Sequence, residues 1–271
     1  MKKGFFCFIV TMAVLSLVLS CACPPDPLET PEAQIGLSSE YFDPNEGPLT
    51  ITLPDLTGFP IVSWKVEVFE PLAPDMLFHE WTWSGQPPRQ ITWDGKNSQG
   101  QLVYAASEYP LVYTAQNRAG NNRIITSSIT VDAFTVRDGA SLRITVPSII
   151  FAPNVDNWNG LDPDIIANNE WIISRLALAL EYHGEYSVKV EGHANYTVNP
   201  NNTPGRQYEQ TYELLPLSRN RARTVVNELV KLGVASGRLS YDGIGGAHPL
   251  AAWEDHDNWW KNRRVEFILT Y

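Results

Sequence analysis

A chain of 271 residues with 44 % hydrophobic content is long enough for two ordinary domains, and its formal charge of −10 excludes nucleic acid as a partner, because an acidic surface repels phosphate. The acidity is uneven: residues 21–141 carry 15 acids and 6 bases, whereas residues 142–271 carry 15 acids and 12 bases. Cys7, Cys21 and Cys23 are the only cysteines, so residues 24–271 contain neither a disulfide nor a thiolate metal site and depend on core burial.

Lys2 and Lys3 precede an apolar run from Phe5 to Leu19. The run is short for a membrane span and ends in small residues, as a secretory signal does, which predicts a signal over 1–20. Val18-Leu19-Ser20-Cys21 resembles a relaxed lipobox, with Val18 where leucine is usual. The resemblance implies lipidation at Cys21, with Cys23 as the weaker alternative and an ordinary secretory signal as the competing reading. Ala22, where inner-membrane lipoproteins carry an acid, favours the outer membrane. Pro24-Pro25-Asp26-Pro27, Pro31 and Pro44 predict a stiff polar tether over 21–47.

Residues 48–138 read as all-β. Leu49-Thr50-Ile51-Thr52-Leu53 and Val62-Ser63-Trp64-Lys65-Val66-Glu67-Val68 alternate apolar and polar positions, and Gly85, Pro87-Pro88, Asp94-Gly95, Gly100 and Gly120 punctuate the segment. Short strands at this spacing predict a β-sandwich, with Trp93 in its core and Asp94-Gly95 in a turn. Ile91-Thr92-Trp93-Asp94-Gly95, with Tyr109-Pro110-Leu111-Val112-Tyr113, is similar to the Ig-like repeat of FlgD-type bacterial surface proteins.

Residues 142–271 alternate strand and helix patterns. Strands are expected at Leu142–Val146, running on to Phe151, then at Tyr186–Val190, Leu239–Tyr241 and Val265–Leu269. Ile165, Ile172, Ile173, Leu176 and Leu180 form the stripe of a helix whose start carries Asp162 and Asp164. Ala222, Val225, Val226, Leu229 and Leu232 form a second stripe, with Ser218 as the expected cap and Gly233 as the stop. The order β-α-β-α-β-β predicts an α+β domain with helices packed on a mixed sheet.

Four motifs punctuate this domain: Val190-Glu191-Gly192-His193-Ala194-Asn195, Leu217-Ser218-Arg219-Asn220-Arg221-Ala222, Gly243-Ile244-Gly245-Gly246 with Pro249, and Asn262-Arg263-Arg264-Val265-Glu266. In this order they resemble the OmpA-like C-terminal domain of outer-membrane proteins and peptidoglycan-associated lipoproteins. The resemblance implies non-covalent binding of the peptidoglycan stem peptide through its diamino acid. Its carboxylate would pair with Arg221, expected in the first turn of a helix, where the dipole also favours an anion. The usual ammonium partner is an aspartate, and here that position is Asn195. Three readings compete there: weakened binding, a retuned amine, or a fold that has lost its ligand. Glu209 or Glu213, in the long insertion before Leu217, is the candidate replacement carboxylate. Asn154, Arg263 and Arg264 are implied ligand contacts, although one arginine is equally suited to a structural pair with Asp242 or Glu266.

No catalytic constellation is visible. His79, His183, His193, His248 and His256 lack metal-ligand spacing, His193 reads as a loop-fixing hydrogen bonder, and Glu254-Asp255-His256-Asp257 reads as a solvated loop. Neither cofactor nor metal is expected. The expectation is a non-catalytic lipoprotein, lipid-anchored in the outer membrane and facing the periplasm, with peptidoglycan as its partner and the sandwich as a spacer or a docking surface for another envelope protein. The alternative is a structural lipoprotein that acts through the sandwich alone.

Overall fold

The computed structural model describes residues 33–271. The expected signal, Cys21, Cys23 and the proline-rich start of the tether lie outside the described residues. The rest of the tether is folded: β1 (Gly36–Leu37) pairs with β2 (Leu49–Thr52), and Phe42 is buried.

The all-β region continues with β3 (Ile61–Glu70), β4 (Ala73–Ser84), β5 (Gln90–Trp93), β6 (Ser107–Asn117) and β7 (Asn122–Val131). They form two antiparallel sheets, β1-β2-β5 and β4-β3-β6-β7. Alternation in β3 and β6 sends every second side chain inward, so Trp64, Val66, Val68, Tyr109, Leu111 and Tyr113 are buried. Trp93 from the smaller sheet meets Phe78 and Tyr109 of the larger one at ring distances of 6.0 and 6.4 Å, and its Nε1 donates to the Lys96 carbonyl at 2.8 Å. The Tyr109 hydroxyl accepts from the Tyr104 amide at 2.8 Å, a tyrosine-corner arrangement that ties a strand to the loop before it. Trp83, by contrast, is 70 % exposed.

The second sheet begins earlier than expected, at β8 (Val136–Asp138), which pairs with β9 (Ser141–Val146). It continues through α1 (Pro163–Tyr182), β10 (Ser187–His193), α2 (Thr203–Tyr208), α3 (Leu215–Lys231), β11 (Leu239–Gly245) and β12 (Val265–Thr270). The strand order β11-β10-β12-β9-β8 has β10 and β11 parallel and the other neighbours antiparallel, so the sheet is mixed. Helix α1 starts where the sequence predicts: the Asp162 side chain accepts from the Asp164 amide at 3.0 Å, and Pro163 needs no donor in the first turn. Ile149–Phe151 is not a strand.

The largest departure lies in the insertion. Helix α2, a π-helical turn at Glu209–Leu214 and α3 run on without a break from Thr203 to Lys231. The Leu215 amide bonds back five residues to the Gln210 carbonyl, and Pro216, which has no N–H, follows at once. Ser218 is therefore buried inside a helix rather than capping one. Its hydroxyl donates to the Leu215 carbonyl and accepts from the Gly245 amide at 3.0 Å.

Helix α3 lies unusually close to the sheet, and the glycine motifs are the cause. A Cβ on Gly192 would lie 2.0 Å from the Ser218 carbonyl oxygen, and one on Gly243 would lie 2.4 Å from that of Leu215. These positions hold glycine so that the backbone carrying Arg221 can approach the strand ends.

Candidate ligand-binding cleft

The C-terminal ends of β9, β10 and β11 and the start of β12 meet at one edge of the mixed sheet. The loops that follow them surround a cleft of about 890 Å³. Asn154, Asn195, Arg221, Arg263 and Arg264 all line it, as do Glu209 and Glu213. Residues far apart in sequence are thus brought to one place by the topology.

Arg221 sits in the second turn of α3, inside the continuous helical run, so no free helix N-terminus adds to its field. Its Nε donates to the Val155 carbonyl at 2.9 Å and its Nη2 to the Ala152 carbonyl at 3.0 Å. Nη1 has no protein partner among the described residues. The Phe151 ring lies 5.0 Å beneath the guanidinium. Burial and the nearby charge of Arg263 pull the Arg221 pKa down to about 10, with Asp156 opposing, which still leaves the side chain charged at neutral pH. Arg263 is exposed and makes no ion pair among the described residues, and burial of part of its side chain lowers its pKa.

Arg264 plays a different part. It is buried just before β12, where Nε donates to Glu266 at 2.7 Å and Nη2 to the His248 carbonyl at 3.2 Å. Burial alone would raise the Glu266 pKa, but Arg264, then His193 and Arg143, more than offset it and hold the carboxyl below its usual range. The structural pairing with Glu266 is therefore made by Arg264, whereas Asp242 pairs with Lys189 and Arg219.

Asn195 is embedded in an amide network. Its Oδ1 accepts from Asn262 Nδ2 at 2.7 Å, and its own Nδ2 donates to the Tyr196 carbonyl at 2.7 Å. Asn262 Oδ1 in turn accepts from the Leu250 and Ala251 amides, so the buried Asn262 of the last motif anchors the 250–262 loop. Glu209 does not supply a free carboxylate. It is buried, and it accepts from the Thr197 amide, the Thr197 hydroxyl and the Val198 amide. Glu213 is exposed at the rim. Asn154 is exposed in a left-handed turn with φ 57°, a conformation asparagine tolerates.

Nothing at the sequence level pointed to Gln210, whose side chain donates to the Ile244 carbonyl and accepts from the Gly246 amide, fixing the third motif's loop. Trp259 and Trp260 also line the cleft, on a short 3₁₀ segment, His256–Asn262.

His193 departs from its expected role. Neither ring nitrogen has a hydrogen-bond partner among the described residues, and only its backbone amide secures the loop, to the Arg264 carbonyl at 2.9 Å. Burial, then the charge of Arg264, holds its pKa at about 4, below the ordinary 6.5. As pH falls through 6.5 the unfolded chain takes up this proton first, so stability is full above 6.5 and declines down to the folded value. The expected loss by pH 4 is about 3 kcal/mol. Thermal melts between pH 7 and pH 4 should show this decline, and His193→Asn should flatten it.

Glu191, His193 and Glu266 are one cluster of metal-ligand type among the described residues. Lys189 holds Glu191, and Arg143 and Arg264 hold Glu266, so an incoming cation would have to displace three positive charges.

A sequence profile described as the OmpA family matches residues 163–263. A peptidoglycan-associated lipoprotein of Mesorhizobium japonicum is 32 % identical over 123 residues, covering 44 % of this chain and 67 % of that protein. An outer membrane protein of Gluconacetobacter diazotrophicus is 34 % identical over 106 residues, which cover 39 % of this chain and only 27 % of that relative's length. Among solved structures, the periplasmic domain of Helicobacter pylori MotB overlaps 51 % of this chain and 78 % of its own, at 18 % identity and a TM-score of 0.38. The matched segment holds three of the four motifs complete and ends at Arg263, inside the fourth, and the chain belongs to the OmpA family.

Proposed function

We propose that this is a non-catalytic envelope lipoprotein that binds the peptidoglycan stem peptide in the cleft. Arg221 and Arg263 take a carboxylate of the diamino acid, and Asn195 faces the amine. The observation that carries this reading is the pair of guanidinium groups without ion-pair partners at one cleft, Arg221 pre-positioned by two backbone carbonyls. Cys21 anchors the chain in the outer membrane, and the folded region faces the periplasm. Relatives named as an outer membrane protein and a peptidoglycan-associated lipoprotein support that placement.

The protein should co-sediment with purified insoluble peptidoglycan. Asn195→Asp adds a negative charge at the amine position and should tighten binding about tenfold, because a charge-assisted hydrogen bond is worth about 1–2 kcal/mol more than a neutral one. A second reading, a structural lipoprotein without a wall ligand, draws on the engagement of Asn195 Oδ1 by Asn262. Failure of both proteins to pellet would favour it.

A further inference from the structure

The cleft is not built by the OmpA-like domain alone. Leu72, in the turn between β3 and β4 of the all-β region, lines it together with Trp259, Trp260 and Ile149. The turn is held against the domain by a largely buried ion pair. Glu70, the last residue of β3, accepts from Lys261 at 2.6 Å, with the two side chains 5 % and 16 % exposed. Lys261 lies between Trp260 and Arg263's neighbour Asn262, so the same short segment carries the bridge and the cleft wall. Beside it the Tyr104 ring of the all-β region meets Trp260 edge-on at 5.8 Å.

Further contacts fix the two regions to each other. Arg175 of α1 grips Asp132 with two hydrogen bonds, at 2.8 and 2.5 Å, and lies over the Tyr41 ring. The buried Ser107 and Ser148 hydroxyls bond at 2.7 Å. These contacts and one continuous apolar core join the two regions, and the Glu70–Lys261 pair places the turn beside the cleft.

We infer that the all-β region is part of the binding site and that Leu72 is a specificity-determining residue for the bound peptide. This rests on the proposed stem-peptide reading. Arg221 and Arg263 line the cleft without ion-pair partners among the described residues, and Leu72, Ile149, Trp259 and Trp260 add apolar lining. The ligand that suits both is an anionic peptide with an aliphatic flank, and Leu72 covers that flank. Leu72 is half-buried and lies outside the shared apolar core, so its substitution leaves the fold intact.

The test is isothermal titration of the full-length protein in detergent with a purified soluble muropeptide. Leu72→Ala should weaken binding about fivefold, the loss expected from one partly covered aliphatic contact. Leu72→Asp should weaken it further, because the ligand's aliphatic flank would have to desolvate a carboxylate there, while the melting temperature of both variants stays at the parent value. Parent-like affinity in both variants, with binding still lost in Arg221→Ala, overturns the role of Leu72 and leaves the cleft reading standing. Absence of any binding by the parent overturns both.

Discussion

Arg221→Ala is expected to abolish retention on peptidoglycan, with muropeptide affinity falling by about two to three orders of magnitude. Losing one partner of a desolvated, charge-assisted pair costs about 3–4 kcal/mol, and each 1.4 kcal/mol is tenfold. Part of the loss is indirect, because Arg221 also holds the Ala152 and Val155 carbonyls and so sets the position of the loop bearing Asn154. Arg221→Lys separates the two effects. A lysine keeps the charge but cannot bond two carbonyls and a carboxylate from one planar group, so it should recover only a minor part of the affinity. Isothermal titration of the three proteins with one muropeptide gives both numbers. Equal affinity in all three would remove Arg221 from the site.

The largest effect on folding is expected at Gly192. A methyl group there would lie 2.0 Å from the Ser218 carbonyl oxygen and 2.8 Å from its carbon, and both are backbone atoms of a helix. No side-chain rotation relieves that clash. Helix α3 must lift from β10 or the strand must bend, and Gly192→Ala should cost more than about 3 kcal/mol. For a folded region of this size the melting temperature should fall by about 6–12 °C. Gly237→Ala is the control. A Cβ there meets nothing within 4 Å, and the residue does not require positive φ, so its melting temperature should stay at the parent value. A parent-like melt for Gly192→Ala would mean that the close approach of helix to strand is not obligatory.

These two residues show what kind of information was legible in the chain. The Gly192-His193 and Gly243-Ile244-Gly245-Gly246 motifs mark a local constraint, helix against strand, and local constraints leave a readable residue pattern. The stripes Ile172-Ile173-Leu176-Leu180 and Ala222-Val225-Val226-Leu229 gave both long helices because burial repeats at the helical period. Asn195, Arg263 and Arg264 lie within two residues of a strand end, whereas Arg221 reaches the cleft from helix α3.

Where the reading failed, competing local signals prevailed. Asn199-Pro200-Asn201-Asn202, Gly205 and Pro216 all suggest a loop and then a fresh helix with Ser218 at its cap. In the fold a π turn absorbs Pro216, and tertiary bonds from Gln210 and Ser218 hold the run together. Alternation says only that Arg263 and Arg264 face opposite ways, which does not divide their roles. The partner Glu266, reached inside the sheet, decides it. The union of the two regions was invisible. Glu70 and Lys261 stand 191 residues apart, and nothing in either segment names the other.

The central claim, that Arg221 and Arg263 bind the peptide carboxylate, is tested most directly by NMR of the arginine Nε–Hε signals as muropeptide is added. Arg221 Nε–Hε is held by the Val155 carbonyl, and Arg238 Nε–Hε, held by the Tyr186 carbonyl at the opposite end of the strands, serves as the internal reference. The expected result is saturable movement of the Arg221 and Arg263 signals with Arg238 unmoved. Saturable binding that leaves both Arg221 and Arg263 in place would contradict it and put the ligand elsewhere on the molecule.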